Sequence, residues 1–246
     1  MLLKNGGLVK TIRFKDPTYI GDPINAVKIF NEKEVDEIVL LDTDATIQAR
    51  EPDYDKINEI CSEAFMPFAY GGGINNIEQI KKLFQTGIEK VIINTAAYFN
   101  PELLEQAATI FGSQSIVASI DVKKEFSGTY KVFVKSGNQK TKFHPAEYAK
   151  NLENHGAGEI FLTSVNYEGT YKGFDTELIK AVSHNVTIPV VAHGGANSVE
   201  SFLPAIKAGA SAVAAGSIFV YKGAEKGVLI SYPSQEELKE KLFCKI

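Results

Sequence analysis

Gly72-Gly73-Ile74-Asn75-Asn76-Ile77-Glu78 returns 122 residues later as Gly194-Gly195-Ala196-Asn197-Ser198-Val199-Glu200, with both glycines, the asparagine and the glutamate in the same places. The same offset, without a gap, pairs Pro67 with Pro189, Gly87 with Gly209, Val91 with Val213 and Thr95 with Ser217. Upstream it pairs Pro23 with Pro145, and Glu37, Ile38 and Leu40 with Glu159, Ile160 and Leu162. Solenoid repeats have periods of roughly 20–50 residues. An offset so close to half the 246-residue chain therefore describes one large unit present twice, and the matches span turns and apolar runs alike.

Each half reads as four βα modules. Ile38–Leu41, Phe68–Tyr70, Val91–Ile93, Ile116–Ile120, Ile160–Leu162, Val190–Ala192 and Val213–Ala215 are short apolar runs of the kind that form buried parallel strands. An eighth is needed to close a barrel, and Met1-Leu2-Leu3 ahead of Lys4-Asn5-Gly6-Gly7 is the place for it, a first strand cut short. Between the runs lie amphipathic patterns such as Ile77 to Phe84, with Ile77, Ile80 and Phe84 on one stripe. The expected fold is α/β: a single (β/α)₈ TIM barrel over residues 1–246, with half-barrel repeats of about 1–122 and 123–246.

Composition narrows the function. A formal charge of −4 with interspersed lysines and glutamates leaves no basic stripe for a nucleic-acid backbone. No apolar run approaches the ~18 residues of a membrane span. Cys61 and Cys244 are the only cysteines and lack metal-ligand spacing, so a metal-free protein of the reducing cytoplasm is expected. The four histidines form neither a metal set nor a nucleophile pair; only His193 falls at a strand end facing the expected mouth.

In such barrels function gathers where the strands end at their C-termini. After the third and fourth strands stand Gly71-Gly72-Gly73 and Asn94-Thr95-Ala96, rich in free N–H groups and small donors that suit a phosphate dianion. Their second-half counterparts are Gly194-Gly195-Ala196 and Gly216-Ser217. Two such sites imply a ligand phosphorylated at both ends, or one derived from an ancestor that was, although any one glycine is more often explained by a turn with positive φ. Asp121, directly after Ile116–Ile120, is the candidate general acid/base; an ion pair with Lys123 or Lys10 is its alternative. Asp42 ends the second strand in the same manner, Thr163 ends the sixth, and Lys10, in a turn after the first, is either an anion contact or a solvated lysine. At the opposite end, Glu37, Lys90 and Glu159 each stand just ahead of a strand.

Gly21-Asp22-Pro23, Tyr70 to Asn75, Ile93 to Ala97, Phe111 to Gln114, Ile120 to Lys123, Gly156 to Ser164, Glu168 to Thr176 and Ala192 to Ala196 together resemble the HisF family, the cyclase subunit of imidazole glycerol phosphate synthase, over nearly the whole chain. The resemblance implies a lyase-type subunit without a cofactor. It implies a HisH-type glutaminase partner whose ammonia crosses the barrel to a bis-phosphorylated substrate at the mouth. By the same resemblance Gly73, Asn94 and Thr95 hold one phosphate, and Gly169, Gly195, Gly216 and Ser217 the other. Glu37, Lys90 and Glu159 match three of four charges that gate ammonia entry; the fourth, an arginine, would precede Met1.

The departure is at the start of the chain. The family uses two aspartates, at the ends of strands one and five. Asp121 matches the second, whereas Leu2 occupies the first. Glu168 stands where the family has Asp, and a Gly-Gly-Leu turn at Gly6-Gly7-Leu8 replaces Asp-Gly-Arg. This pattern resembles the HisF-like branch of surface-polysaccharide loci, which implies ammonia delivery for amidination of an acetamido sugar. Two further readings are a non-catalytic scaffold that activates a glutaminase and a bis-phosphate sugar isomerase; the missing first aspartate weighs against the isomerase.

Overall fold

The apolar runs become parallel strands because both of their faces are covered, one by the barrel interior and one by helices. The computed structural model describes residues 1–223 and 225–246. Its barrel strands are β1 (Leu2–Lys4), β2 (Ile38–Asp42), β3 (Phe68–Gly71), β4 (Lys90–Ile93), β5 (Ile116–Lys124), β6 (Glu159–Ser164), β7 (Val190–His193) and β8 (Ala212–Ala214). Each pairs in parallel with the next, from β1 against β2 to β7 against β8. The fold is a (β/α)₈ barrel. No ladder joins β8 to β1 among the described residues. The Lys10 side chain crosses that seam, its Nζ standing 3.0 Å from where a Cβ on Gly216 would lie.

Inside, side chains alternate in and out with the two-residue period of a strand. Val39 and Leu41, Ala69, Ile92, Val117, Phe161, Val191 and Ala214 form an apolar layer, more than one residue deep, inside the barrel. The next inward positions up the wall are Ser119 and Asp121 on β5, Thr163 on β6 and His193 on β7. Outside, helices bury one stripe each; Ile77–Gln85 covers Ile80 and Leu83, and the Asn76 side chain accepts from the Gln79 N–H at its start. No helix among the described residues is long and apolar enough to cross a membrane.

Two antiparallel arms depart from the expected plan. Gly7–Ile12 pairs with β1 and with Lys15–Gly21, so Lys10 lies on a strand and not in a turn. β5 does not stop at Asp121; it runs on to Lys124 and pairs with Tyr130–Val134, which pairs with Gln139–Lys140. The tip of this second arm folds back over the mouth, where the Lys135 N–H donates to Thr95 Oγ1 at 3.0 Å and Lys123 Nζ donates to the Gly137 carbonyl.

The turns at offset 122 have the same geometry. Gly72 and Gly194 have φ of 126° and 99°. A Cβ on Gly72 would lie 2.5 Å from the Asp42 carbonyl oxygen, and one on Gly194 2.7 Å from that of Ser164, the residue 122 places further on. Glycine is required at both for two reasons, the left-handed backbone and the close approach of a neighbouring strand end.

Candidate functional site

A cavity of about 550 Å³ opens at the C-terminal ends of the strands. It gathers Asp121, Gly73, Asn94, Thr95, Asp42 and Thr163 in one wall, with Leu2 and Lys4 on the first strand. Asn94 and Thr95 sit at the start of the short helix Thr95–Phe99, directly after β4, beside the Gly72-Gly73 turn. The Gly72-Gly73 turn and the start of this helix line the same cavity, where the Gly73 N–H donates to Thr46 Oγ1 at 3.4 Å.

Asp121 is 8% exposed and has no cation within ion-pair distance. Among the described residues its only side-chain partner is Asn94, whose Nδ2 donates to Oδ2 at 3.1 Å. Burial pushes the carboxyl up to about 7, with Asn94 and the more distant Lys123 pulling the other way. A carboxyl poised near neutrality can both take and give a proton at working pH. The alternative of an ion pair with Lys123 or Lys10 is not realised.

Asp42 ends its strand as Asp121 was expected to, yet it does different work. Arg50 Nη2 contacts both of its oxygens, at 2.9 and 2.7 Å, and the Asp44 and Ala45 N–H groups donate to Oδ1 at 3.1 Å each. A carboxylate so occupied shapes the rim and has little capacity left for substrate.

The second-half residues collect in a smaller neighbouring cleft lined by Lys10, Gly169, Gly195, Gly216 and Ser217, with Glu168 and His193 shared between cleft and cavity. At about 10 Å³ it holds little more than one water. The Gly173 N–H donates to the Gly195 carbonyl at 2.8 Å, closing the turn from above. Lys10 is buried, not solvated: its Nζ lies 3.3 Å from Glu168 Oε1. Glu168, 1% exposed, also accepts from Thr11 Oγ1 and from the Phe14 N–H at 3.1 Å each. The extra methylene of Glu over Asp thus reaches across to the first arm.

At the other end of the barrel Lys90 Nζ lies between Glu37 Oε2 at 3.0 Å and Glu159 Oε2 at 3.1 Å. Burial works against the Lys90 charge, and the two carboxylates outweigh it and raise the ammonium above its ordinary value. The apolar layer separates this cluster from Asp121. Among the described residues no group of His, Cys, Asp and Glu is placed to hold a metal.

Two cavity residues escape a reading of sequence. Arg50, from a loop, and Lys4, at the end of β1, salt-bridge to Asp42 and Asp44 and bring positive charge to the first-half rim from stretches that carry no motif. His193, at a strand end, lines both spaces, with Nδ1 3.2 Å from Thr163 Oγ1. Burial, with Lys10 nearby, lowers its imidazole to about 3 and keeps it neutral. It stands at the place at the mouth that its strand-end position in the sequence led us to expect.

The chain matches, over residues 1–225, the model of a family described as histidine biosynthesis protein. A Pseudomonas aeruginosa protein provisionally named imidazole glycerol phosphate synthase subunit hisF2 is 50% identical over 239 residues, 97% of this chain and 95% of the relative. A Vibrio vulnificus protein, provisionally named subunit hisF3, is 42% identical over 247 residues, 98% and 94% of the two chains. The Thermococcus onnurineus imidazole glycerol phosphate synthase subunit HisF is 43% identical over 220 residues, 89% and 86%.

Proposed function

The chain belongs to the histidine-biosynthesis barrel family, in its HisF line, and on that premise we propose that it is the synthase subunit of a glutamine amidotransferase complex. A HisH-type glutaminase docks at the Glu37–Lys90–Glu159 end, in the cytoplasm, and supplies ammonia. The ammonia crosses the apolar layer and reaches a phosphorylated small molecule at the mouth, with no cofactor. The observation that carries this reading is the alignment of three zones along one axis: a charged entrance, an apolar interior and a buried Asp121 beside phosphate-type donors.

Within the mouth, Gly73, Asn94 and Thr95 anchor one phosphate. Gly169, Gly195, Gly216 and Ser217 receive the second, once Lys10 and the loop through Gly173 give way. Asp121 moves the proton. Thr163 positions a neighbour on β7, and Asp42 orders the rim. The matching geometry of the two glycine turns supports a single domain made of two duplicated halves.

A second reading has its own support. Leu2 lines the cavity where the family's first aspartate stands, and an apolar side chain neither transfers a proton nor steadies a cation; losing one of two such groups costs on the order of 10²-fold or more. This missing carboxylate is what supports the alternative reading, ammonia delivery for amidination of an acetamido sugar in surface-polysaccharide biosynthesis, outside the histidine route.

The test combines the protein with its cognate glutaminase and follows glutamine turnover and consumption of the bis-phosphate substrate, with Asp121→Asn as control. Cyclisation abolished by Asp121→Asn upholds the histidine-type reaction. Glutaminase stimulation without cyclisation moves the protein to the amidination route, and the absence of stimulation sinks both.

A further inference from the structure

Three protic side chains stand in one row across the floor of the mouth. Thr163 of β6 is in register with Asp121 of β5 on one side and with His193 of β7 on the other. In-register residues of parallel strands share a face, and all three line the same cavity. β7 also lies halfway along the wall from β5 to β1, between Asp121 and the position that Leu2 occupies. The imidazole is held in two ways. Its Nδ1 is 3.2 Å from Thr163 Oγ1, and its ring lies at 33° to that of Phe161 with 5.3 Å between centroids. Among the described residues Thr163 is the one hydrogen-bond partner of the ring, which leaves Nε2 for a ligand.

We propose that His193 touches substrate, donating its Nε2–H to a carbonyl oxygen of the phosphorylated ligand, whose carbon is where ammonia adds. The assignment rests on the reading above in which ammonia arrives from the barrel interior. In this role the Thr163 hydroxyl donates to Nδ1 and the ring proton sits on Nε2, the tautomer that the test below reads. Burial of the ring with Lys10 nearby favours its uncharged form, and a fixed neutral donor at a partly buried strand end is suited to an oxygen that gains negative charge. As ammonia adds, the nitrogen lone pair forms the C–N bond and the carbonyl π pair moves onto the oxygen held by His193. The surplus proton on nitrogen passes to the Asp121 carboxylate. Leu2 offers nothing to a cationic group, whereas a ketone or amide oxygen needs only this donor.

Histidine ¹⁵N NMR of the full chain tests the proposal, with His193→Gln used to assign one of four histidine signals. The probes are dihydroxyacetone phosphate, which carries a ketone and a phosphate, and glycerol 3-phosphate, its alcohol counterpart. The expected result is a neutral His193 protonated on Nε2 between about pH 5 and 8, with that signal moved by the ketone and not by the alcohol. His193→Ala should weaken the ketone about 10-fold, the cost of one hydrogen bond, and leave the alcohol unchanged. With the Gly73 and Asn94 amides responding to the probes, a His193 signal moved by neither probe, or equally by both, overturns the proposal. If the Gly73 and Asn94 amides respond to neither probe, the phosphate anchor is what has failed, and the tautomer then decides: Nδ1 protonation overturns the role of His193 and Nε2 protonation upholds it.

Discussion

Asp121 carries the most consequence per atom. Its carboxyl is held near 7 in the folded chain against the usual 3.8 of an unfolded one. The folded state therefore binds the proton more tightly, and stability is lost as pH rises from about 4 through 7. Asp121→Asn should leave the melting temperature unchanged near pH 4 and raise it above pH 7, by roughly 2–4 °C for each kcal/mol relieved in a chain of this size. The same substitution should lower synthase turnover by about 10²-fold or more. With glutamine as nitrogen source, the wild-type rate should rise as pH passes through about 7. Differential scanning calorimetry and a pH–rate profile check the two claims. Lys10 and Glu168 give a second case. Glu168→Gln strands a buried ammonium and should cost about 3–5 kcal/mol in urea denaturation, while Lys10→Met in the same chain should restore much of the loss. Asp121 was legible from its place after an apolar run. The pairing of Lys10 with a residue 158 positions away was not, because a lysine in a short polar stretch reads the same whether solvated or buried.

At the scale of elements, the glycine turns hold strand ends against each other. Gly72→Ala places a Cβ 2.5 Å from the Asp42 carbonyl oxygen at a φ of 126°, so it should cost about 1–3 kcal/mol from the backbone conformation alone, with the clash adding to that. Loss of phosphate binding should accompany it, measured by calorimetric titration with inorganic phosphate. Gly194→Ala should destabilise comparably, the contact being 2.7 Å. The barrel strands and the helix over Ile77–Gln85 were readable because their periodicity is local and repeated. The two arms were not. Gly7–Ile12 with Lys15–Gly21 and Tyr130–Val134 with β5 owe their form to pairing beyond their own residues, and the continuation of β5 past Asp121 is a consequence of that partner.

For the whole molecule, the entrance cluster and the mouth lie at opposite ends of one barrel. Lys90→Met leaves Glu37 and Glu159 facing each other and should uncouple the two activities of the complex. Glutamine-driven synthase turnover should fall several-fold while turnover driven by added ammonium salt holds, and the ratio of the two rates is the measurement. Stability should change by no more than about 1 kcal/mol, as expected for half-exposed ion pairs. The apolar residues Val39, Leu41, Ala69, Ile92, Val117, Phe161, Val191 and Ala214 lie between the two ends. What sets the Asp121 carboxyl is its own burial, Asn94 and Lys123, none of them at the entrance. Lys90→Met should therefore leave the ionisation of Asp121 where it was: the doorway can be rebuilt without retuning the acid at the far end.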